Sequence, residues 1–345
     1  MTRVALVGYG SSGRTIHAPL IVAAGLDLVA VSTGNAGRAD QVGNEHPGAL
    51  VVPDLTQLLE VPDLDLVVLA SPSGVHADQA RQVVTAGHAL VVEKPLAVNA
   101  SSALEVVDLA AHDDLPLTVF QNRRYDPEFR TTQRVLASGD LGDVLRAELR
   151  WERWRPVSKN RWRENASPTE GGGILLDLFT HLVDQAVIMF GPVEAVHGEI
   201  AAHTTTADDT AFLSCRHRSG VVSHLGATSV SAAPGPRVRL LGRREAYLIG
   251  AQLGEETAFT QWLPADDEHI GWLVRGSERT AVPAEPGDQA DFYREVAVAL
   301  GTDDRQAAMP VDPRDAVHVL AVLDAARTSA TSGRSVQVIT PGDAP

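Results

Sequence analysis

The sequence predicts an α/β protein in two domains, the first built on a parallel β-sheet and the second an α+β domain built on a large, mostly antiparallel open sheet. Its 345 residues exceed what one hydrophobic core usually serves. Up to about residue 120, short apolar runs alternate with helical stretches, which is typical of β-α-β units. Beyond Gln121, apolar and charged residues alternate with a period of two, which indicates strands with one solvated face.

The first domain is expected over residues 1–120. Its apolar runs are apolar almost throughout, as strands covered on both faces by helices must be. An interruption is expected near the start of the first helix, because Pro19 lacks the N–H group that a helix interior needs. The predicted strands are 3–7, 26–31, 65–70, 89–93 and 117–120, and the predicted helical segments are 14–25, 57–59, 75–86 and 101–112.

The second domain is expected over residues 121–345. Leu145, Ala147, Leu149 and Trp151 alternate with charged residues and so predict a strand at 145–152. Residues 341–345 are expected to fray as a terminal tail. Further strands are predicted at 193–203, 210–216, 221–225, 238–241 and 335–340, with helices at 288–300 and 312–328.

Composition limits the classes of partner and compartment. The chain has 29 Lys plus Arg against 44 Asp plus Glu, a net charge of -15, which argues against a nucleic-acid partner because phosphates need a basic surface. Cys215 is the only cysteine, so neither an internal disulfide nor a cysteine-rich metal site can form. No apolar run is long enough to span a bilayer, and no signal peptide precedes the first strand. We therefore expect a soluble, cytoplasmic protein without a membrane partner.

Three glycines follow the first predicted strand, in the stretch G-Y-G-S-S-G at residues 8–13. Between a strand and a helix, this spacing is the fingerprint of a dinucleotide-binding Rossmann domain. Gly8 allows the tight turn, Gly10 lets a pyrophosphate approach the backbone, and Gly13 lets the helix pack on the strand. Ser11 and Ser12 lie where free N–H groups at the helix start would hold the phosphates. The alternative is a plain glycine-rich turn.

The end of the second predicted strand indicates which nicotinamide dinucleotide is bound. NAD-specific domains carry an acidic residue there for the ribose 2'-hydroxyl, whereas this chain has Ser32, Thr33 and Asn35. These side chains can donate hydrogen bonds to a 2'-phosphate, and Arg38 can supply the counter-charge. We therefore predict NADP as the cofactor, with NAD as the second choice. The alternative is that Ser32 and Thr33 only cap or turn the chain.

Lys94 is the first candidate catalytic residue. A buried strand runs directly into Glu93, Lys94 and Pro95, and ligands of open α/β sheets bind beyond the carboxyl ends of strands. We expect Ser71, His76, Glu93 and Lys94 to lie beside the cofactor, with His76 at the start of a helix. The alternative for Lys94 is an exposed loop lysine, because most lysines lie at the surface.

The second candidate set lies in the segment E-G-G-G-I-L-L-D-L-F-T-H-L-V-D at residues 170–184. Asp177 and His181 are four residues apart in a helical pattern, so both side chains leave one helix face, which Asp184 continues. A histidine can take the proton of an alcohol while hydride leaves, and a carboxylate can orient it. The glycines allow close approach of a ligand or of the other domain's backbone. One alternative is a purely structural His–Asp pair; another is a metal site, but the pattern matches no standard zinc signature and we predict no metal.

Other residues are candidates for binding a polyhydroxylated substrate. Asn122, Arg123 and Tyr125 follow the last strand of the first domain, where a cleft between the domains is expected. Trp154 and Arg155 belong to an aromatic and basic cluster that includes Trp151 and Trp162, and indole rings stack well on sugar-like rings. The alternative for this cluster is a core or a subunit interface.

The glycine fingerprint, the Glu93-Lys94-Pro95 stretch and the segment at 170–184, taken in this order, resemble the glucose-fructose oxidoreductase and inositol dehydrogenase family, called Gfo/Idh/MocA, over essentially the whole chain. The resemblance implies a Rossmann domain followed by a domain whose open sheet often mediates homodimers or homotetramers. It implies that Lys94 hydrogen-bonds the reacting hydroxyl, that Asp177 orients the substrate and that His181 is the acid/base catalyst. It also implies a cis Lys94-Pro95 bond, which is far less costly before proline than elsewhere.

More narrowly, the stretches G-Y-G-S-S-G-R-T-I-H-A-P-L, F-Q-N-R-R-Y-D-P-E-F and R-W-E-R-W-R-P resemble the branch that contains NADP-dependent scyllo-inositol dehydrogenases. Phe179 departs from the family pattern, which usually has glycine there, and a bulky ring can reshape the pocket. The expected function is reversible, NAD(P)-dependent oxidation of a secondary alcohol on a cyclitol or sugar-like ring. The alternatives are a non-catalytic regulator that senses the dinucleotide, and a reductase in which His181 serves only as a donor.

Overall fold

The apolar runs near the start of the chain form one parallel, doubly wound sheet in the computed structural model, which describes residues 1–251 and 269–342. The strands are β1 (Arg3–Val7), β2 (Asp27–Ser32), β3 (Leu50–Val52), β4 (Leu66–Leu69), β5 (Ala89–Glu93) and β6 (Leu117–Phe120). They lie in the order β3-β2-β1-β4-β5-β6, and all neighbours are parallel. The Rossmann-like sheet predicted from the sequence is confirmed.

Helices connect these strands. Pro19 lies in the first turn of its helix, where it has no ladder hydrogen bond to lose, and a π-helical turn at Gly13–His17 precedes that helix. The interruption expected near this proline is therefore confirmed. The helices are α1 (Ala18–Ala23), α2 (Ala36–Glu45), α3 (Leu55–Leu59), α4 (His76–Thr85) and α5 (Ala100–His112).

A nine-stranded sheet forms the second half of the fold. Its strands are β7 (Val144–Glu152), β8 (Val193–Ala201), β9 (Thr210–His217), β10 (Val222–Thr228), β11 (Val238–Gly242), β12 (Ala246–Ile249), β13 (His269–Arg275), β14 (Glu278–Pro283) and β15 (Val336–Gln337). The order is β14-β13-β12-β11-β7-β10-β9-β8-β15. Only the β7–β10 pair is parallel among these described strands, so the mostly antiparallel open sheet is confirmed.

One face of this sheet is covered by a long apolar helix. The helices of this part are α6 (Pro127–Ser138), α7 (Trp162–Asn165) and α8 (Ile174–Phe190). Helix α8 packs on β7, β9 and β10, and buried residues alternate with more exposed ones along β9 and β10. Because the helix is buried along nearly its whole length, the side chains it carries toward a site are held by the core.

Two helices end the fold, α9 (Ala290–Leu300) and α10 (Pro313–Ser332). The chain divides into two compact units: the first unit comprises Met1–Asn122 and Gln289–Val317, and the second unit comprises Arg123–Asp288 and His318–Pro345. The segment Gln289–Val317 was expected in the second domain, and the structure groups it with the first unit. The boundary after residue 120 remains a prediction about folding domains. Of the expected tail, residues 343–345 lie outside the described residues.

The returning segment completes the core of the first unit. Tyr293 of α9 is fully buried, and its hydroxyl lies 2.6 Å from Nδ1 of His17. His17 is also fully buried against the ring of Phe120, and this burial lowers the pKa of its imidazole to about 3. His17 is therefore a neutral core residue at physiological pH.

Candidate functional site

At two of the three glycines after β1, Gly8 and Gly13, a side chain would collide with the protein backbone. Gly8 has φ +93°, and a Cβ atom there would lie 3.0 Å from the carbonyl oxygen of Ala70. A Cβ atom on Gly13 would lie 2.0 Å from the carbonyl oxygen of Gly8, so the turn folds back on its own backbone. These positions fit the turn and the helix–strand packing expected of the fingerprint.

Gly10 is different, because little of the protein surrounds it. A Cβ atom there would meet only Nη1 of Arg38, at 4.0 Å. The open space beside Gly10, with the guanidinium of Arg38 at its edge, fits the close approach of a phosphate to the backbone. Ser11 and Ser12 lie in the same turn, and the carbonyl of Ser11 accepts a hydrogen bond from Thr15 at 2.7 Å. The glycine turn therefore fits a dinucleotide.

The polar residues that follow β2 use their acceptor atoms within the protein and keep their donor groups available. Oδ1 of Asn35 accepts the backbone N–H of Arg38 at 3.0 Å and caps α2, and Thr33 accepts the N–H of Asn35 at 3.4 Å. The alternative that Thr33 turns the chain is thus correct for its acceptor, and the helix cap is Asn35, but the Thr33 O–H and the Asn35 NH2 remain donors. Ser32 is buried, and the exposed guanidinium of Arg38 has no ion-pair partner within residues 1–251 and 269–342.

Lys94 lies at the carboxyl end of β5, as predicted. It is only 9% exposed, which excludes the alternative of an exposed loop lysine. Ser12 of the glycine turn donates a hydrogen bond to Oε1 of Glu93 at 3.2 Å. The Lys94-Pro95 bond is cis, which confirms that expectation. The lysine thus follows directly on a residue that is hydrogen-bonded to the glycine turn.

His76 joins two loops at the same edge of the parallel sheet. It begins α4, as predicted, and is buried. Its Nε2 lies 2.9 Å from the carbonyl oxygen of Ser71, and its Nδ1 lies 2.7 Å from the carbonyl oxygen of Pro95. Ser71 in turn donates its hydroxyl to Gln79. These contacts make His76 a bridge within the protein between the loops after β4 and β5.

The glycine run before α8 is explained by packing inside the second unit. A Cβ atom on Gly173, which has φ +92°, would lie 2.0 Å from Oδ1 of Asp208. A Cβ atom on Gly172 would lie 1.9 Å from the carbonyl oxygen of Ala166. We predicted close approach of a ligand or of the other domain's backbone. The observed neighbours belong to the same unit, so this expectation is corrected.

Asp208 supplies the cap for α8. Its Oδ2 accepts the backbone N–H of Leu175 at 2.7 Å, and its carbonyl oxygen accepts that of Ile174 at 2.8 Å. Burial raises the pKa of the Asp208 carboxyl. Asp208 therefore satisfies the N–H groups at the start of the helix that carries Asp177 and His181.

The three polar residues of α8 have different surroundings. Asp177 lies at the edge of an open cavity in the second unit, with Oδ1 3.7 Å from Nε of Arg163. His181 is buried, with its ring centroid 5.9 Å from that of Trp151. Asp184 is buried and forms a bidentate ion pair with Arg124, whose Nε and Nη2 lie 2.9 Å from Oδ2 and 2.6 Å from Oδ1. Asp184 is therefore structural, and the described residues contain no group of three or more His, Cys, Asp or Glu that could hold a metal ion.

Two aromatic rings lie close to the polar residues of α8: Trp151 lies beside His181, and Phe179 belongs to the helix itself. Trp151 is 4% exposed, and three guanidiniums lie over its ring, those of Arg123, Arg153 and Arg237 at 4.9, 5.2 and 4.2 Å. Phe179 is fully buried in the core. The ring that replaces the usual glycine of the family therefore packs inside the unit and does not line the cavity beside Asp177.

The predicted substrate-binding residues are not all alike. Asn122 is buried and donates to Oε1 of Gln289 at 3.0 Å, within the first unit. In the second unit, Arg123 pairs with Asp126 at 2.8 Å and Tyr125 is buried. Trp154 is 57% exposed, and Arg155 lines the cavity beside Asp177. Of this set, Arg155 is the residue that shares a cavity with a predicted catalytic residue.

The sequence analysis missed three arginines and three carboxylates of this cavity. It is open to solvent, and the empty space within and in front of it is about 690 Å³. A sequence signal exists for Arg153, because it lies two residues before the predicted Arg155 in a segment without a helical pattern. Residues two apart in extended chain share a face. The charged lining residues that it missed are Arg153, Arg161, Arg163, Glu164, Asp208 and Asp209.

Comparison with known proteins identifies related sequences for both parts of the chain. A family model described as an oxidoreductase family with an NAD-binding Rossmann fold matches residues 2–121. A second model, described as the GFO/IDH/MocA C-terminal domain, matches residues 129–247. No helix within the described residues is long and apolar enough to cross a membrane.

Individual relatives match along nearly the whole chain. The chain is 27% identical to scyllo-inositol 2-dehydrogenase (NADP(+)) IolW of Bacillus subtilis (strain 168), over 97% of this chain and 96% of the relative. It is 32% identical to the oxidoreductase YdgJ of Escherichia coli (strain K12), over 93% and 94% of the two chains. Among solved structures, the oxidoreductase yvaA of Bacillus subtilis has a TM-score of 0.85 and 26% identity, over 98% of this chain and 99% of that chain.

Proposed function

This chain belongs to the GFO/IDH/MocA family of oxidoreductases, and we propose that it is an NAD(P)-dependent dehydrogenase that reversibly oxidises a secondary alcohol on a cyclitol or sugar-like ring. The similarity to a scyllo-inositol 2-dehydrogenase supports this substrate class. The observation that carries the proposal is the hydrogen bond from Ser12 to Glu93, because it ties the glycine turn to the strand end that presents Lys94.

The first unit carries the residues proposed to bind the dinucleotide. The turn from Gly8 to Gly13 would hold the pyrophosphate, because the space beside Gly10 admits a phosphate. Ser71, His76, Glu93 and Lys94 follow β4 and β5 at the same edge of the sheet. A dinucleotide held by these residues would supply the hydride acceptor for oxidation of the alcohol and the hydride donor for the reverse reaction.

The residues proposed for catalysis have separate roles. His181 takes the proton from the reacting hydroxyl, and its packing against Trp151 shields the imidazole from bulk water. Lys94 donates to the same oxygen and stabilises its developing negative charge. Asp177 accepts a hydrogen bond from another hydroxyl of the ring and so orients the substrate.

The cofactor is proposed to be NADP. No acidic residue follows β2, and the donors of Ser32, Thr33 and Arg38 suit a 2'-phosphate. We expect kcat/KM to be higher with NADP than with NAD, and we expect Arg38→Gln to reduce the preference by about tenfold. A marked preference of the unchanged protein for NAD would contradict this part of the proposal.

Turnover assays test the dehydrogenase directly. The protein is mixed with NADP or NAD and a panel of inositols and sugars, and the absorbance of the reduced nicotinamide is followed. Lys94→Gln should lower kcat by roughly a hundredfold or more, whereas the exposed Lys159→Gln serves as the matched control. Tight binding of NADPH without turnover of any polyol or ketone would instead favour a dinucleotide-sensing regulator.

We also propose a cytoplasmic homodimer or homotetramer that assembles through the nine-stranded sheet. The sheet face opposite α8 carries partly exposed residues such as Phe212 and His224, whose rings lie 5.6 Å apart. Light scattering coupled to size exclusion measures the subunit number. A monomeric unchanged protein would contradict assembly. An oligomer whose mass does not change on Phe212→Asp would contradict assembly through this face.

A further inference from the structure

The cavity beside Asp177 is rich in arginine. Arg153, Arg155, Arg161 and Arg163 all line it, and all belong to the second unit together with Asp177. A neutral cyclitol needs hydroxyl donors and acceptors, but it does not need four cations. The same cavity carries four carboxylates, those of Glu164, Asp177, Asp208 and Asp209, so an anionic ligand needs an arginine that these carboxylates leave unpaired.

The other carboxylates of the cavity are already bound to the protein. Glu164 accepts the hydroxyl of Ser158 at 2.6 Å and the backbone N–H of Arg161 at 3.2 Å. Asp209 accepts three hydrogen bonds, from the backbone of His203 and from the backbone and hydroxyl of Thr204. Asp208 caps α8. These carboxylates are held by loop and helix donors, and none of them forms an ion pair with Arg155 within the described residues.

The arginines differ in how far they are engaged. Arg163 stacks on Trp162 at 4.6 Å and lies 3.7 Å from Asp177, and Arg153 stacks on Trp151. Arg155 is half-buried, and no carboxylate in the described part of the chain pairs with its guanidinium. A partly desolvated guanidinium without a counter-ion is unfavourable, and its planar fork matches the oxygens of a carboxylate or a phosphate.

We propose that Arg155, with its neighbours Arg153 and Arg161, binds an anionic group of the substrate, so that the preferred substrate is a polyhydroxylated ring bearing a carboxylate or a phosphate. This inference rests on the proposed function, because it takes Asp177 at the edge of the cavity as the group that orients the ring. In this arrangement, Asp177 and Arg163 hold hydroxyl groups while Arg155 selects the charge. Arg155 is then a specificity-determining residue.

Matched pairs of compounds test the inference. One pair is glucose and glucuronate, which differ by a carboxylate, and the other is myo-inositol and myo-inositol 1-phosphate. We expect kcat/KM of the unchanged protein to be about tenfold or more higher for the anionic member of one pair, and that pair identifies the group as carboxylate or phosphate. Arg155→Gln should lower the anionic-to-neutral ratio of kcat/KM by about tenfold to a hundredfold.

Arg218→Gln is the control, since Arg218 is an exposed arginine of the same unit that does not line the cavity. Equal kcat/KM for both members of each pair, with a ratio unmoved by Arg155→Gln, would overturn the inference. If no compound is turned over, the proposed function fails, and calorimetric titration of glucuronate and of myo-inositol 1-phosphate still decides on the cavity. Anion binding lost only in Arg155→Gln supports the site, and equal binding or no binding in all three proteins rejects it.

Discussion

Arg14 and Glu45 form an ion pair that joins the first helical turn after the glycines to the end of α2. Nε of Arg14 lies 2.9 Å from Oε1 and 3.0 Å from Oε2 of Glu45. The hydroxyl of Tyr9 donates to the same carboxylate at 2.7 Å. The hydrogen bonds from Arg14 and Tyr9 lower the pKa of Glu45 to about 2. One carboxylate therefore holds one residue within the glycine turn and one residue directly after it.

Replacing Glu45 should change the acid dependence of stability. A carboxyl whose pKa is lower in the folded than in the unfolded state stabilises the fold above its ordinary value of 4.5, and this stabilisation is lost as the pH falls toward 2. Glu45→Gln should therefore lower Tm at neutral pH. The difference in Tm between the variant and the unchanged protein should shrink as the pH falls below 4.5. Thermal unfolding across this pH range measures the difference. A constant difference would contradict the prediction, and the exposed Glu60→Gln is the control.

Gly10→Ala should weaken dinucleotide binding, whereas Gly13→Ala should destabilise the fold. A Cβ atom on Gly13 collides with the backbone of Gly8, so we expect destabilisation by about 1–3 kcal/mol or more in urea unfolding. A Cβ atom on Gly10 meets only the end of Arg38, so the free energy of unfolding should change by less than about 0.5 kcal/mol. Fluorescence titration with NADPH should nevertheless show weakened binding by Gly10→Ala. Undiminished affinity in that variant would place the dinucleotide elsewhere.

Asp208 should stabilise the second unit through its side-chain acceptor. Asp208→Ala removes the hydrogen bond to Leu175 and should cost about 1 kcal/mol. Asp208→Asn keeps an acceptor oxygen and avoids burying a charge, because burial raises the pKa of this carboxyl. The free energy of unfolding in urea should therefore be higher for Asp208→Asn than for Asp208→Ala. Equal losses in both variants would show that the cap is not what stabilises the start of α8.

His181→Ala should lower kcat by roughly a hundredfold or more, because a general base is lost. The dissociation constant of NADPH should change little, since His181 lies in the second unit and the glycine turn in the first. Steady-state kinetics and NADPH titration measure the two quantities. An equal loss of cofactor affinity would indicate misfolding of the variant, and unchanged turnover would remove His181 from the mechanism.

The parts of the fold that the sequence predicted well are those with strong apolar patterns. Strands β1, β5 and β6 have the predicted bounds, because each is a short run of buried residues between polar turns. Helix α2 was missed, since Val42 is its only buried residue and its sequence is polar with two glycines. Strand β3 is only three residues long and half-exposed, so it leaves no periodic signal.

In the candidate site too, residues within one short segment could be predicted, whereas contacts between residues far apart in the chain could not. Lys94 and the Asp177/His181 spacing could be recognised because each lies in a short segment with a clear strand or helix pattern. Asp208 could not be recognised as the cap of α8, because it lies 33 residues away from Leu175 along the chain. Nor could the glycines before α8 be assigned to that contact, since a glycine pattern does not say which atom approaches it.

The return of the chain to the first unit has a consequence for biosynthesis. The hydroxyl of Thr118 donates to the carbonyl of Val311 at 2.8 Å, and Phe120 packs against Phe292 with ring centroids 5.0 Å apart. Both partners emerge from the ribosome well after the nine-stranded sheet has begun to form. A nascent chain that stops at residue 122 would leave the Phe120 ring without its cover and the Thr118 hydroxyl without its acceptor, so the first unit should mature last, although it is encoded first.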